Sequence, residues 1–247
     1  VDTIGHVLSY PQTPLVQNKM SSILNYDKLP CGQNIVIAFG AWGYNQEDSV
    51  VINQSAINRG LFQTHTYRTY TDEESRKTTT NIEEKFCDPK QYNIEGGKKM
   101  GDYSKLNQYG FVDLETDVVG DDVIIGKVAP IINKNNPNVD TDYKDNSTVL
   151  KSTLPCKIDK IVQTRNSDGF SVMKVKVRNQ CTLTIGDKLS SRSGQKGTVG
   201  MIYPQEDMPV TESGVIPDLI INSHALPSRM TIGMLIEMLL GKLVAYT

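Results

Sequence analysis

Clusters of apolar residues predict several short buried strands and one long helix. Apolar side chains dominate residues 34–39, 49–52 and 219–221, and short apolar runs bounded by turn residues are typical of buried strands. From residue 230 to residue 246 apolar side chains recur at i, i+3 and i+4, which predicts an apolar helix. We expect this helix to be buried against covering partners, because its apolar stripe is wide.

The stretch between these segments is more polar and less regular. Its first part is acidic, and residues 133–146 are rich in Asn and Asp without hydrophobic periodicity. This composition indicates a flexible loop at residues 133–146. The pattern therefore predicts a compact unit that a polar insertion splits in the sequence.

One segment of the insertion alternates strictly between polar and apolar residues. A period of two over residues 171–178 places Lys174, Lys176 and Arg178 on one face of a strand. Val175 and Val177 then face a core. The basic face is either a contact surface for nucleic acid or an ordinary solvated strand face, and the pattern leaves both open.

Composition narrows the classes of function. The net charge is -2 with 38% hydrophobic residues, whereas a protein that binds nucleic acid through bulk charge would be basic. The four cysteines and three histidines are too scattered for a zinc site that is local in sequence. Free cysteines suit a reducing compartment, and we expect neither a secretory signal nor a membrane span. Because the chain starts without Met and stops within the helical pattern, we expect it to be a fragment.

An acidic cluster stands between two apolar stretches. Glu47 and Asp48 lie on a predicted turn, within residues 43–49. Adjacent carboxylates on such a turn can direct at least one oxygen toward a hard cation such as Mg²⁺, which would be shared with substrate or another chain. The alternative is a solvated acidic turn.

A second cluster, residues 186–198, holds three cations and three glycines within 13 residues. Lysine is a compact charge that suits phosphate, and glycine lets backbone approach a ligand closely. Lys188 and Lys196 could therefore converge on one polyphosphate, although neither a P-loop nor a G-x-G-x-x-G pattern is present. A flexible basic surface loop is the alternative.

A third cluster, residues 217–230, leads from a strand into the terminal helix. Ser228 is the predicted N-cap, which places Arg229 in the first turn of the helix. A cation is mildly unfavourable there unless an anion such as phosphate binds the helix N-terminus. Alternatively, Arg229 bonds a loop carbonyl or a carboxylate.

Together, the three clusters combine carboxylates for a metal with cations for phosphates, which points to phosphoryl or nucleotidyl transfer. A non-catalytic binding module and an unrelated phosphate-binding enzyme are rival hypotheses.

Taken in order, the motifs resemble one protein family over essentially the whole chain. The motifs are G-Y-N-Q-E-D-S at 43–49, G-D-K at 186–188, G-Q-K-G at 194–197, E-D-M-P at 206–209 and P-S-R-M-T at 227–231. They resemble the second-largest, β-like subunit of multisubunit DNA-dependent RNA polymerases. The resemblance implies a mixed α+β, mainly β fold. Residues 1–63 and 183–247 would form a hybrid-binding domain of the double-psi β-barrel type, with a β-rich wall or flap insertion at 64–182.

The resemblance also implies roles for the clustered residues. Lys188, Lys196 and Arg229 match catalytic and substrate-binding positions beside the RNA 3′ end and the incoming nucleotide, and Gln195 is expected to contact substrate. Asp48, with Glu47, matches the acids near the second, nucleotide-associated Mg²⁺.

Partners follow from the same resemblance. They are the largest subunit, which holds the tightly bound Mg²⁺ on an aspartate triad, together with assembly subunits, DNA template, RNA–DNA hybrid and ribonucleoside triphosphates. The chain alone should be inactive, and a zinc-binding clamp would lie beyond Thr247.

Ser193 departs from the His usual in cellular relatives. With the high Asn, Ile and Lys usage, it suggests a large DNA virus of eukaryotes or a divergent eukaryotic polymerase. The expected location is intracellular: the nucleus for a cellular enzyme, or host cytoplasm or virion for a viral one.

Overall fold

The computed structural model describes residues 2–77, 82–94, 99–131 and 143–247, and it is a mixed α+β structure that consists mainly of strands. The strands are β1 (Ile4–Leu8), β2 (Ile37–Phe39), β3 (Ser49–Asn53), β4 (Thr64–Glu73), β5 (Arg76–Lys77), β6 (Ile82–Glu83), β7 (Lys85–Phe86), β8 (Asp117–Val118), β9 (Val123–Ile125), β10 (Lys127–Pro130), β11 (Tyr143–Asp145), β12 (Thr148–Val149), β13 (Cys156–Arg165), β14 (Ser171–Cys181), β15 (Lys188–Ser190), β16 (Lys196–Tyr203) and β17 (Leu219–Ile221). The helices are α1 (Lys19–Ile23), α2 (Gln54–Asn58), α3 (Ala225–Arg229) and α4 (Ile232–Tyr246), with short 3₁₀ turns at Pro89–Gln91 and Gln205–Asp207. The predicted fold class is confirmed.

The chain divides into two compact units, each assembled from separate segments. An insertion unit comprises Val1–His6 and His65–Gln180, and a split unit comprises Val7–Thr64 and Cys181–Thr247. The chain passes from one unit to the other near the boundaries predicted after residues 63 and 182. In addition, the first six residues belong to the insertion unit. The assignment of these units to hybrid-binding and wall regions stays a prediction, as does the double-psi barrel.

The insertion unit is built on a five-stranded sheet with the order β1-β4-β14-β13-β8. Val175 and Val177 of β14 are buried in its core beside Ile158 of β13, whereas Lys174 and Lys176 are only half-buried. The alternation predicted for this strand is therefore confirmed. It works because one face of the strand contacts apolar side chains and the other contacts polar groups.

The split unit is built on a five-stranded sheet with the order β15-β16-β3-β17-β2. β3 is the central strand, and its residues Val50, Val51 and Ile52 are at most 4% exposed. Val50 and Ile52 pack in one core, and Val51 packs in a second core on the opposite face. Burial on both faces explains why β3 and β17 are uninterrupted apolar runs in the sequence.

The Asn-rich segment and the first predicted strand differ in part from expectation. Residues 133–142 of the predicted loop lie outside the described residues. Tyr143–Asp145 forms β11 and pairs with β10, so the loop prediction is wrong for that part. β2 begins only at Ile37, three residues later than predicted.

The terminal helical pattern contains a break that the sequence did not indicate. α3 ends at Arg229, Met230 has a left-handed backbone with φ 53°, and α4 begins at Ile232 after Thr231. The predicted N-cap Ser228 is therefore wrong. Its hydroxyl donates to the carbonyl oxygen of His224 at 3.0 Å, inside α3.

Within this chain most of the apolar stripe of the terminal helix is exposed, so its burial against covering partners stays a prediction. Met234 is 2% exposed and packs in the core of the split unit, but Leu239 is 71% and Leu243 63% exposed. Hydrophobic periodicity identifies an apolar helix but does not specify what covers each side of it. Within the described ranges, no helix has the combination of length and apolar content needed to cross a membrane.

Candidate active site

The ends of three strands meet at one edge of the split-unit sheet. β16 runs parallel to β3 with Thr198 opposite Ser49, and β17 runs antiparallel to β3. Residues before β3, before β16 and after β17 therefore lie side by side despite their separation in the sequence. A cleft at this edge is lined by residues from all three strand ends, among them Glu47, Asp48, Gln195, Lys196 and Ala225.

The acidic turn that precedes β3 is held by Asn45, a residue that the sequence reasoning missed. Its side chain is fully buried, donates from Nδ2 to the Gly40 carbonyl at 2.7 Å and accepts from the Trp42 amide at 2.8 Å. An Asn that bonds its own turn is a recognisable signal in a Gly-rich segment. The backbone carbonyl of Asp48 accepts a bond from β16 at 2.9 Å, while its side chain stays 51% exposed. The turn is thus fixed and its carboxylate remains accessible.

Two glycines allow β16 to lie against this turn. A Cβ atom on Gly197 would come within 2.7 Å of a Val50 methyl group and 3.0 Å of the Asp48 carbonyl oxygen. A Cβ atom on Gly200 would come within 2.3 Å of the Tyr44 carbonyl oxygen. These distances are shorter than van der Waals contact, so any larger residue would displace the acidic turn from the hairpin.

The two lysines lie on one face of the hairpin formed by β15 and β16. Lys188 is opposite Thr198 and Ser190 is opposite Lys196, and directly opposed residues of an antiparallel pair share a face. Both lysines are exposed, whereas Leu189 between them packs against the core. The hairpin therefore presents both predicted cations to the same side.

Arg229 joins the acidic turn to the hairpin. Its Nη2 forms an ion pair with Oδ1 of Asp48, and its Nη1 donates to the carbonyl oxygen of Lys196 at 3.3 Å. The carboxylate raised as one alternative from the sequence is thus a partner of Arg229, and the second partner is a carbonyl at the start of β16 instead of one in a loop. Because Arg229 ends α3 instead of beginning the terminal helix, its cation does not oppose a helix dipole, and that expectation is wrong.

Gln195 is buried at 6% exposure, although it was predicted to contact substrate. Its Oε1 lies 3.5 Å from the Thr231 hydroxyl, and its backbone amide donates to the Ser191 hydroxyl at 3.2 Å. These contacts favour a supporting role between the hairpin and the start of α4. Direct contact of Gln195 with substrate stays a prediction.

Arg192 is a further supporting residue that the sequence reasoning did not single out. Its guanidinium pairs with Glu237 of α4 at 2.6 Å and donates to the Val16 carbonyl oxygen at 2.7 Å. The sequence signal was present, since Arg192 is the third cation of the Gly-rich cluster. Next to it, the Ser193 hydroxyl lies 3.9 Å from the position of a Cβ atom built on Gly233 at the start of α4.

The basic strip of the insertion unit is largely neutralised by carboxylates. Arg178 pairs with Asp159 at 2.9 Å and with Glu115 at 3.0 Å, and Lys176 lies 3.8 Å from Asp159. Lys174 is half-buried on the same strand face. These ion pairs favour the solvated strand face, and nucleic-acid contact by this strip stays a prediction.

The carboxylates of the cleft suit a shared magnesium ion better than a resident one. Among the side chains that the structure describes, no three His, Cys, Asp or Glu residues are grouped as metal ligands. Glu47 and Asp48 are exposed neighbours on one turn. Magnesium accepts one or two protein carboxylates together with water and phosphate oxygens, so these residues fit as part of such a donor set. Glu47, Asp48 and Lys196 line the cleft and Arg229 contacts Asp48, so carboxylates and cations that a metal–polyphosphate complex requires lie close together.

Comparison with known proteins identifies the family of this chain. The family described as RNA polymerase Rpb2, domain 6, matches residues 1–247. The chain therefore belongs to the RNA polymerase Rpb2 domain 6 family, and the resemblance drawn from the motifs is confirmed.

Named relatives come from several lineages. The DNA-directed RNA polymerase II subunit RPB2 of Encephalitozoon cuniculi is 47% identical over 249 residues, which cover 99% of this chain and 22% of that protein. Subunit 2 of RNA polymerase II from Arabidopsis thaliana is 46% identical, covering 100% of this chain and 21% of that protein. The Rpo2 subunit from Saccharolobus solfataricus is 40% identical, covering 99% of this chain and 22% of that protein. This chain thus spans about a fifth of the length of these curated relatives. A viral source stays a prediction.

Proposed function

We propose that this chain forms part of the active site for DNA-templated RNA synthesis. The reaction is nucleotidyl transfer from a ribonucleoside triphosphate to the 3′ hydroxyl of RNA, with release of pyrophosphate. The observation that carries the proposal is that Asp48 and Lys196 line one cleft and that Arg229 contacts both residues. Family membership over residues 1–247 supports the same conclusion.

The chemistry of this transfer needs positioned charges more than a nucleophilic side chain. Negative charge on the transferring phosphoryl group can be stabilised by fixed cations that need no reorganisation during the reaction. Lys196 and Arg229 would bind triphosphate oxygens, and Lys188 would lie beside the RNA 3′ end on the same hairpin face. Asp48, with Glu47, would supply oxygen ligands to the nucleotide-associated Mg²⁺. That ion would neutralise phosphate charge when bound.

Other components would complete the site. The tightly bound Mg²⁺ would be held by the largest subunit, so the isolated chain should not polymerise nucleotides. Assembly subunits, the DNA template and the RNA–DNA hybrid would be the further partners. The split unit would be the hybrid-binding domain of the double-psi type, and the insertion unit would be the wall. An intracellular location follows from this role.

The proposal is tested by RNA extension on a preformed RNA–DNA scaffold with the assembled polymerase. Lys196→Ala should slow nucleotide addition by about 100-fold, as expected for the loss of one positioned charge contact. Asp48→Ala should raise the Mg²⁺ concentration needed for half-maximal extension.

Two variants serve as matched controls. Lys242→Ala removes an exposed cation from α4, and Glu212→Ala removes an exposed carboxylate from a loop. Both should extend RNA at the wild-type rate. If Lys196→Ala and Asp48→Ala also extend RNA normally while subunit assembly is intact, this region is scaffold and the catalytic assignment is wrong.

A further inference from the structure

The carboxylate proposed to bind a metal is paired with the guanidinium proposed to bind phosphate. Arg229 Nη2 contacts Asp48 Oδ1, and the same guanidinium reaches the Lys196 carbonyl at 3.3 Å. The Arg229 side chain is 30% exposed and that of Asp48 is 51% exposed. Both partners can therefore be reached by ligands from solvent.

Each member of this pair has a stronger alternative partner. A guanidinium binds phosphate oxygens through the same parallel N–H groups that it uses for a carboxylate. A carboxylate oxygen that accepts hydrogen bonds from a guanidinium has less capacity left for a divalent cation. Separation of the Asp48–Arg229 ion pair thus favours both a metal at Asp48 and a phosphate at Arg229.

We infer that Arg229 is an exchangeable counter-ion for Asp48. In the chain without ligands the guanidinium neutralises the carboxylate. When a polyphosphate binds Arg229, the carboxylate is released to a divalent cation, which takes over the neutralisation of Asp48. The inference rests on the proposed function for the identity of the two ligands, and it adds that their binding is coupled through this ion pair.

The size of the coupling follows from the exposure of the pair. A partly exposed ion pair changes an equilibrium by a modest amount, so its loss should alter metal affinity by about two- to fivefold. Linkage requires the reciprocal effect, so an anion bound at Arg229 should strengthen metal binding by a similar factor. The exchange keeps the Asp48 carboxylate neutralised in both states.

The experiment measures how much Mn²⁺ the assembled polymerase binds beyond its tightly bound ion, from the free-ion signal in electron paramagnetic resonance. Arg229→Gln should bind this Mn²⁺ about two- to fivefold more tightly than the wild-type polymerase. Asp48→Asn should lose this site. Lys242→Gln removes one positive charge from an exposed position on α4 and should bind like the wild type.

A second arm needs no substitution and stays informative if Arg229→Gln fails to fold. Sulfate stands in for a phosphoryl group and is added in exchange for chloride at constant ionic strength. It should strengthen Mn²⁺ binding to the wild-type and Lys242→Gln polymerases, and it should have no such effect on Arg229→Gln.

The outcomes separate this inference from the proposed function. If Asp48→Asn loses Mn²⁺ but Arg229→Gln does not gain affinity and sulfate has no effect, the exchange is wrong and the metal assignment stands. If Asp48→Asn binds Mn²⁺ as the wild type does, both the exchange and the assignment of Asp48 as a metal ligand are wrong. If Lys242→Gln gains as much affinity as Arg229→Gln, net charge explains the effect and the exchange is refuted.

Discussion

The close approach of β16 to the acidic turn makes Gly200 a sensitive position. A Cβ atom there would lie 2.3 Å from the Tyr44 carbonyl oxygen and 3.2 Å from the Ser49 Cβ. Ordinary contact between carbon and oxygen is about 3.3–3.6 Å, so Gly200→Ala must move backbone by about 1 Å. The obstacle is a main-chain atom and not the end of a flexible side chain. The register of β16 and β3 also shifts between Val199 and Met201, so Gly200 is the residue at the irregularity.

The expected cost follows from overpacking. Insertion of a methyl group into a closely packed site costs about 1–3 kcal/mol. In a domain of this size each kcal/mol lowers the melting temperature by about 4 °C, so Gly200→Ala should lower it by about 4–12 °C. The acidic turn would move with the backbone, and a displacement of about 1 Å can reduce a catalysed rate by about 100-fold. RNA extension by the assembled enzyme should therefore fall as well.

Thermal unfolding followed by circular dichroism provides the assay. Gly32→Ala is the matched control, because a Cβ atom on Gly32 meets nothing within 4 Å. Its melting temperature should equal that of the wild-type chain. If the melting temperature of Gly200→Ala also equals that of the wild-type chain, the turn and β16 do not pack as described and the steric argument is refuted.

Three further predictions concern buried groups. Lys127→Met should destabilise the chain by about 3 kcal/mol in urea unfolding, because it strands the Asp72 and Glu84 carboxylates that lie 2.6 and 2.9 Å from the ammonium. Burial raises the pKa of Glu84, but hydrogen bonds, led by the one from Lys127, leave this pKa below its ordinary value. The stability of the wild-type chain should therefore fall as the pH drops through this lowered pKa. Lys127→Met should lose that pH dependence. Tyr103→Phe should cost about 1.5–3 kcal/mol through the lost hydrogen bond to a carboxylate, also measured by urea unfolding. Ile52→Ala should cost about 2–5 kcal/mol by the same measurement, because Ile52 is fully buried.

Exposed counterparts of the same chemistry serve as controls for these variants. Lys157→Met breaks an ion pair with Asp117 whose side chains are 47% and 77% exposed. Tyr109→Phe and Leu239→Ala change residues that are more than half exposed. Each should alter unfolding free energy by no more than about 0.5–1 kcal/mol. Equal losses in a buried variant and its control would show that burial does not govern these energies.

Local patterns predicted the elements that a single strand or helix determines. The alternation in β14 and the apolar run of β17 depend on which faces of each strand are buried, and both are visible in residue order. The break between α3 and α4 was not visible, because Ser228 suits the N-cap of a helix by local rules. The break occurs at Met230, whose positive φ no side-chain pattern signals.

The clustered motifs predicted the residues of the cleft but not how they contact one another. The pairing of Asp48 with Arg229 depends on the register of β16 and β17 against β3, and register between distant segments is a tertiary property. By sequence alone, the glycines of residues 186–198 suggest close approach of a ligand. In the structure Gly197 instead admits Val50 and the Asp48 carbonyl.

The glycines and the charges of this motif thus have different physical tasks. Gly197 and Gly200 set the distance between β16 and the acidic turn, and this distance decides whether Arg229 can reach Asp48 and the Lys196 carbonyl together. A substitution at either glycine should therefore impair the site although neither glycine presents a functional group. Loss of Lys196 should leave the fold intact and remove only charge, because its side chain is exposed. Stability and nucleotide addition should accordingly fall together in the glycine variants and separate in Lys196→Ala, and this contrast distinguishes a packed site from a flexible basic loop.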